Sequence, residues 1–387
     1  MSADYAIEVY APNGTHLKQV LNSTRIEYVN RVNAVGMFSI ELPADNVLMP
    51  VWSELAGDAR VVIWRQPVGA ARFSVDFSGL CRYSELFQRQ QRLYLRLSGY
   101  SINELLARSI VHAPASTDET PVTESLKTGA CDDVMKAIVR EQLGTLAGTS
   151  IYPDAARDRT AQGFTVAPDL TLGTTVTKAF SRRNVLTVLQ ELAQDSLKVP
   201  DTAVWFGFVP VGDGLQGVFT TNVGQWGIDA RGSVTFSLEN GNASNMRDTM
   251  DRRGELTYVY GGGSGVGTAR IEPAPLYSLR QFDSPLNRRE GFYNLNSETD
   301  TAAIQGGMRG VLNDARPVRR LLFDVIDTNK TRLGVHYGLG YRVLGEFAGV
   351  TREYHVAGYQ VVHAAGKDDL TVNLEEFPTV NEEAYTT

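Results

Sequence analysis

The sequence has 387 residues, of which 43% are hydrophobic and 21% charged, and its formal net charge is −7. These values exclude global disorder, and the length predicts two or three compact units. The acidic balance disfavours a protein that grips nucleic acid through a broad basic surface. The only cysteines, Cys81 and Cys131, form neither a disulfide framework nor a CxxC metal pair. We expect both to be buried small hydrophobes, and a single disulfide between them is the alternative that the sequence leaves open.

Short runs of alternating apolar and polar residues fill the first hundred positions. In one of them Leu93, Leu95 and Leu97 point to one side of the chain and the residues between them to the other, which is typical of a strand. Strands are predicted at 5–10, 15–21, 24–33, 36–43, 60–65, 72–80 and 92–99. Seven strands joined by short turns, with no helix between them, indicate a first unit at 1–100 that forms a small antiparallel barrel or sandwich.

After residue 100 apolar residues recur at helical spacing. Helices are predicted at 104–110, 131–143 and 184–197. The last of these has an apolar stripe that includes Val185, Leu189 and Leu192. A hairpin of two strands is predicted at 203–211 and 215–220, whereas 144–174 remains unassigned. These elements predict an α/β insertion domain over 101–235.

The stretch 255–289 begins with an alternating aromatic strand and runs into five glycines within seven residues. Such glycines suit a wide hairpin loop between strands at 256–260 and 268–272. Their spacing fits neither a dinucleotide fingerprint nor a P-loop, because no register places glycines at i, i+2 and i+5 and no lysine follows the last one. We therefore interpret the loop as a mobile or partner-contacting hairpin tip. The candidate interface residues are Tyr258, Tyr260, Gly261, Gly262, Gly263, Gly265, Gly267 and Arg270.

The C-terminal part begins with a predicted helix at 299–315. Gly306, Gly307 and Gly310 weaken this helix by about 1 kcal/mol each, so tertiary packing must hold it. Strands are predicted at 321–326, 341–347, 352–363 and 370–375. Residues 236–316 thus complete the insertion or a second barrel, and 317–387 supply the strands of a C-terminal β-barrel. The expected fold class is α+β, mainly β, with two small tube-like barrels and an insertion between them.

The residues that commonly carry chemistry form no recognisable catalytic pattern. The five histidines show no HExxH or paired metal spacing, and there is no GxSxG motif. The carboxylate pairs Asp132–Asp133 and Asp368–Asp369 lie at a helix start and a turn, where acids have structural roles. No catalytic residue, metal site or cofactor is predicted. The N-terminus lacks a secretory signal pattern, and no apolar run is long enough to span a membrane.

Several stretches resemble a known family when they are taken in order. They are 33–43, 79–86, 93–110 with its strand-to-helix step GYSINELLA at 99–107, 258–270, 288–290 and 340–374. In this order they are similar to the baseplate hub, or tail-associated, proteins at the tail tip of long-tailed siphophages. That family is related to the central hub of contractile phage tails and of type VI secretion spikes.

The resemblance implies a structural homotrimer without enzymatic activity. Two barrels per subunit would form a pseudo-sixfold ring that joins the sixfold tail tube to the threefold tip and leaves a channel for DNA and the tape-measure protein. The implied partners are the distal tail protein, the tail tube and tape-measure proteins, and tip or fibre proteins, with DNA only in transit. The protein would be made in the host cytoplasm and reside in the virion. Because the chain ends at Thr387, we expect other proteins to bind the host or degrade its wall.

Two other classes of function stay open on the sequence. A carbohydrate-binding adhesin would gather Trp52, Trp64, Trp205 or Trp226 on one open groove, since aromatic rings stack on sugars. A peptidoglycan hydrolase would depend on a carboxylate pair, whose members need not be close in sequence.

Overall fold

A computed structural model describes residues 2–20, 22–45, 48–111, 125–144, 146–147, 159–180, 182–196, 202–296, 298–376 and 384–386. Most of its regular structure is β, and most strands join one 13-stranded sheet. The expectation of a mainly β fold with some helix is therefore confirmed.

All seven strands predicted in the first hundred residues are present. They are β1 (Asp4–Tyr10), β2 (His16–Val20), β3 (Arg25–Arg31), β4 (Met37–Pro43), β5 (Arg60–Gln66), β6 (Ser74–Arg89) and β7 (Arg92–Ser101). The alternation holds within β7, where Leu95 and Leu97 are buried, while Leu93 near the strand's start is exposed.

The middle of the chain forms a separate α/β layer. Its elements are α1 (Glu104–Ala107), β8 (Ser125–Ala130), α2 (Cys131–Gln142), β9 (Phe164–Val166), β10 (Thr175–Phe180), α3 (Val185–Ser196), β11 (Val204–Val211) and β12 (Gln216–Val223). Strand β8 pairs with β10, and β12 lies between β11 and β9. Within the unassigned stretch 144–174, residues 145 and 148–158 lie outside the described residues.

The remaining elements alternate between the large sheet and a small one. They are β13 (Thr235–Phe236), β14 (Ala243–Asp251), β15 (Tyr258–Gly262), β16 (Leu276–Ser278), β17 (Glu290–Asn294), α4 (Thr301–Asp314), β18 (Val318–Val325), β19 (Arg342–Phe347), β20 (Val350–Ala364), β21 (Lys367–Glu376) and β22 (Ala384–Thr386). Helix α4 starts at Asp300, whose carboxylate accepts a hydrogen bond of 2.9 Å from the Ala302 N–H.

One continuous sheet contains strands from both ends of the chain. Its order is β14-β18-β21-β20-β3-β4-β7-β6-β5-β1-β2, with β19 on β20 and β13 on β19. The 15-residue strand β20 pairs with β19 through its first part and with β3 from Gly358 to Ala364, and so links the C-terminal strands to the N-terminal ones. Among the described strands the path stays open between β2 and β14. Two closed barrels are therefore not what these strands form, because β20 continues into the neighbouring half of the sheet.

The two cysteines lie in different hydrophobic cores. Cys81 belongs to the core of the large sheet and Cys131 to that of the α/β layer. Both are buried and free, as the sequence predicts.

A polar network crosses the large core where the two ends of the chain meet. Tyr359 donates a hydrogen bond of 2.8 Å to Asp76 Oδ1, and Tyr28 donates one to Asp76 Oδ2. The Asn30 amide donates to the Asp76 carbonyl and to the Tyr359 hydroxyl, both at 2.8 Å. Burial, reinforced by the Asp76 carboxylate, raises the pKa values of both tyrosines, which keeps them protonated donors. The network thereby ties β3 and β6 to β20.

Candidate assembly surface on the four-stranded sheet

The glycine-rich strand of the sequence is central in a four-stranded sheet of order β17-β15-β16-β22. Strand β15 runs parallel to β17 and antiparallel to β16. Because side chains alternate along a strand, Val259 and Gly261 face helix α4, whereas Tyr258 and Tyr260 lie on the opposite face.

Close packing against α4 explains two of the five glycines. A Cβ on Gly261 would collide with Met308 and Ile304 of the helix. A Cβ on Gly263 would lie 2.5 Å from Ile304 Cδ1 and from the Glu298 carbonyl. These glycines let the helix lie directly on the strand, and both are buried.

Gly262 is buried for a different reason, since a Cβ there would strike the guanidinium of Arg270. Gly265 and Gly267 instead occupy the loop itself, with φ of +102° and +59°. Both are exposed, as is Val266 between them at 88%. Only the last two glycines therefore belong to an exposed tip.

The loop does not lead into the second strand that the sequence predicts. A 3₁₀ turn at Gly267–Ala269 follows, and the loop is closed by hydrogen bonds from Gly263 N to Ile271 O at 2.7 Å and from Ile271 N to Ser264 O at 2.9 Å. The prediction of a strand at 268–272 is wrong. Prolines at 273 and 275 cannot donate to a ladder, so β15 pairs with the later strand β16.

Tyrosine and arginine side chains cover the outer face of β15. The Arg288 guanidinium lies 4.0 Å from the ring centroid of Tyr258 and donates to the Tyr260 hydroxyl at 3.2 Å. It also donates to Glu290 at 2.7 Å, which holds it over the ring. Tyr258 stacks on Tyr277 with centroids 6.2 Å apart.

Further aromatic side chains extend this surface on both sides. Phe292, 54% exposed, lies under the Arg270 guanidinium at 5.1 Å, and Arg270 also donates to the Asn294 amide oxygen. Phe282, 69% exposed, packs edge-on against Tyr277. We refer to the following residues as the aromatic face: Tyr258, Tyr260, Arg270, Tyr277, Phe282, Arg288 and Phe292.

The aromatic face has the composition of a protein interface. Exposed contiguous aromatic surface is uncommon on monomers, and Tyr, Phe and Arg are enriched where proteins associate. Of the predicted interface residues, the structure brings Tyr258, Tyr260 and Arg270 together here and places Gly261, Gly262 and Gly263 beneath them. Tyr277, Phe282 and Phe292 were not predicted from the sequence, although the alternation in β17 after Arg288–Glu290 could have indicated Phe292.

Neither a metal site nor a membrane-spanning helix is found in the described residues. They contain no group of three or more His, Cys, Asp or Glu side chains placed to hold a metal ion. No helix within the described ranges is long and apolar enough to cross a membrane. Three of the tryptophans have different surroundings: Trp52 packs against the large core, Trp226 contacts Gly340, and Trp205 packs on His355 with centroids 4.9 Å apart.

The sequence itself decides the family. Residues 6–367 match the family described as Siphovirus ReqiPepy6 Gp37-like protein. The chain belongs to this family. No curated protein matches the sequence.

Solved structures place this Gp37-like chain in a known fold. It resembles the 43 kDa tail protein of prophage MuSo2 from Shewanella oneidensis, with 11% identity, a TM-score of 0.59 and coverage of 98% of this chain and 99% of that one. It resembles a tail protein from Neisseria meningitidis MC58, with 15% identity, a TM-score of 0.57 and 99% coverage of both chains. A third resemblance, with 8% identity and a TM-score of 0.54, is to a chain of the Francisella PdpA-VgrG complex, and it covers all of this chain and 55% of that one.

These matches confirm the resemblance seen in the sequence. The chain is a member of the Gp37-like family and has the fold of phage tail proteins and of one chain of the PdpA-VgrG complex, which agrees with the expected location in the virion tail.

Proposed function

We propose that the protein is the structural subunit of a trimeric baseplate hub at the tail tip. The observation that carries the proposal is the end-to-end match to two phage tail proteins, each covered to 99% of its length. The match over the whole length supports a structural role, in which the hub acts through its surfaces.

The large sheet supplies two β modules per subunit in this proposal. The strands of 1–100 form one half of it, and those of 317–387 together with β13 and β14 form the other, joined where β3 meets β20. The division at 1–100, 101–235, 236–316 and 317–387 describes these modules and the insertion between them. Three subunits then present six modules, which matches a sixfold tube above to a threefold tip below.

Open strand edges support a ring of subunits. Among the described strands, β2 and β14 each pair on one side only. A head-to-tail contact that closes at three subunits would cover such edges, which otherwise invite aggregation. Three copies would carry −21 formal charges, three times the −7 of one chain. Acids along the bore would let DNA and the tape-measure protein pass without sticking.

The aromatic face is the contact with a neighbouring subunit or with the proteins that flank the hub. The partners in this proposal are the distal tail, tube and tape-measure proteins above, and tip or fibre proteins below. Burying Phe282 and Phe292 removes large apolar area from water, and the ring-stacked arginines add directional donors.

Native mass spectrometry of the purified full chain, alone and with its distal tail protein, tests the hub. We expect a three-copy assembly for the wild type. The double variant Phe282→Glu and Phe292→Glu should raise the dissociation constant of the contact about tenfold or more, because truncating interface aromatics commonly costs 1.4 kcal/mol or more. Leu170→Glu, at an exposed apolar residue of the α/β layer, is the matched control. Only monomers in both samples, or equal loss in the control, would rule the proposal out.

A further inference from the structure

A large cleft lies between the outer face of the main sheet and helices α3 and α4. Its volume is about 1060 Å³, at the upper end of the roughly 300–1,000 Å³ typical for small-ligand sites. The floor comes from β18, β21, β20 and β3, and the C-terminal ends of α3 and α4 form one wall. It is separate from the aromatic face, none of whose residues line it.

Strand alternation makes the floor of this cleft polar. On β21, Val372 and Leu374 enter the core, whereas Asn373 points to the cleft. On β20, Tyr359 and Val361 are buried, and Gln360 between them lines the cleft. The same strands thus supply core on one side and amide groups on the other.

Several polar groups that line the cleft have no hydrogen-bond partner among the described residues. The Asn373 amide and the guanidinium groups of Arg31 and Arg316 form no hydrogen bond or ion pair with a described residue. The Gln194 Oε1 atom is buried and has no donor among the described residues. Because buried polar atoms are normally hydrogen-bonded, the Gln194 oxygen points to a ligand that supplies its partner, and the exposed Arg31 and the half-buried Arg316 and Asn373 are open to the same ligand.

Two further amides are only half used. The Gln360 Nε2 atom donates a hydrogen bond of 2.8 Å to Glu27 Oε1, and no described group donates a hydrogen bond to Gln360 Oε1. Asn313 donates to the Gln194 carbonyl at 3.3 Å, and its Oδ1 likewise receives no hydrogen bond from a described residue. The cleft therefore offers both donors and acceptors, from two strands of its floor and from helix α4.

Most charges around the cleft are already compensated. Arg320 pairs with Glu375 at 2.9 Å, Arg280 with Glu255 at 2.8 Å, and Arg319 with Asp248. Of the arginines named here, only Arg31 and Arg316 would therefore be free to form an ion pair with a strongly anionic ligand. Many neutral hydroxyl groups, each of which both donates and accepts, fit this set of amides better.

Apolar surface lies beside these amides. Trp205 lines the cleft with its indole N–H already donated to the Gly224 carbonyl at 3.1 Å, so the ring offers mainly apolar surface. Leu322 on the floor is 40% exposed. Flat aromatic and aliphatic surface of this kind contacts the C–H face of a sugar ring.

An extended peptide is the less favoured occupant. A peptide that adds a strand needs an open sheet edge, since main-chain hydrogen bonds supply its affinity. Every floor strand, β18, β21, β20 and β3, is paired on both sides. The floor offers side-chain groups only.

We propose that this cleft binds an oligosaccharide, held by the amides of Gln360, Asn373 and Asn313 and by contact with Trp205. The site would give the protein a glycan-recognition function in addition to its place in the tail. It does not depend on the trimer, because all of these groups come from one chain.

The test is an array printed with bacterial capsular, cell-wall and O-antigen polysaccharides and with chito-oligosaccharides, probed with the labelled full chain. We expect at least one glycan to bind. The double variant Gln360→Ala and Asn373→Ala should bind it about tenfold or more weakly, as the loss of one or two hydrogen bonds to a ligand predicts. Phe292→Ala on the aromatic face is the control and should bind like the wild type.

A second variant separates loss of binding from misfolding. Asn313 is on the wall formed by the helices, and Asn313→Ala should also weaken glycan binding. The melting temperature of each variant shows whether it is folded. Binding to no printed glycan, or binding that both cleft variants retain, would overturn the proposal. A peptide array read with the same variants would overturn it equally if peptide binding required Asn373. None of these results bears on the three-copy assembly, which is measured by mass.

Discussion

The two faces of the large sheet use polar residues in opposite ways. On the inner face, where β3 meets β20, the hydroxyl groups of Tyr28 and Tyr359 donate hydrogen bonds to the Asp76 carboxylate. On the outer face, one position further along β20, the Gln360 Oε1 atom accepts no hydrogen bond from a described residue. The side-chain amide of Asn373 on β21 forms no hydrogen bond with one either. The difference shows how one strand can serve stability through one set of alternate residues and recognition through the other.

Removing the acceptor at the centre of the inner network should have the largest effect. Asp76→Ala leaves the hydroxyl groups of Tyr28 and Tyr359 without their acceptor and removes one of the negative charges near Arg65, which is 2% exposed. We expect a loss of about 3–5 kcal/mol in the free energy of unfolding. Urea titration followed by circular dichroism measures it, with the slope m unchanged. An Asp76→Ala midpoint within error of the wild type would contradict the assignment of stability to this face.

His355 is an exception on the outer face of the sheet, because its side chain is titratable and yet buried. Burial lowers its pKa to about 4, against 6.5 for an exposed imidazole. Between these values the unfolded chain binds more protons, so stability rises from pH 4 to pH 6.5 and is lost as pH falls through that window. We expect up to about 3 kcal/mol of pH-dependent stability from this group.

Replacing His355 by Gln should remove that contribution and flatten the profile. The measurement is urea unfolding of both proteins at several pH values from 4 to 7. Identical slopes in the two profiles would mean that His355 is solvated in the native state.

Helix α4 offers a smaller contrast between a packed glycine and an open one. A Cβ at Gly307 would collide with the Tyr293 ring, whereas one at Gly306 meets nothing within 4 Å. Gly307→Ala should destabilise the protein by about 1–3 kcal/mol through overpacking. Gly306→Ala should stabilise it by up to about 1 kcal/mol through helix propensity. Thermal melts of the pair would refute this packing if both shifts had the same sign.

The smallest effect is expected on the outer face. Asn373→Ala removes no hydrogen bond within the described structure, so its unfolding free energy should stay within about 0.5 kcal/mol of the wild type. It is the matched control for Asp76→Ala in the same urea series. A loss of several kcal/mol would mean that Asn373 serves the fold rather than a ligand.

Local patterns predicted the elements well. The seven N-terminal strands, the four helices and the hairpin of β11 and β12 follow from alternation, helical spacing and turn residues. Strand β6 runs nine residues beyond its predicted end at 80, to Arg89, because pairing with β7 holds a segment that is not regularly apolar. Helix α1 ends at Ala107 rather than 110, where Ile110 bridges to Asn184 instead.

The pairing of strands that are distant along the chain could not be predicted from the sequence. The contact of β3 with β20 joins Arg25 to Ala364, and no local pattern encodes which distant strand will be a neighbour. Two separate barrels were predicted for that reason. The same limit applies to the site: Tyr277 and Phe282 are in the same stretch, 255–289, as the predicted residues, but only the pairing of β16 with β15 shows that they lie beside Tyr258.

A cryo-electron microscopy reconstruction of the assembled tail is the decisive measurement for the trimeric hub. We predict three copies of this chain around the channel at the tail tip, with six β modules in a ring and Phe282 and Phe292 buried against a neighbouring protein. A copy number other than three, or a position away from the channel with the aromatic face open to solvent, would contradict it.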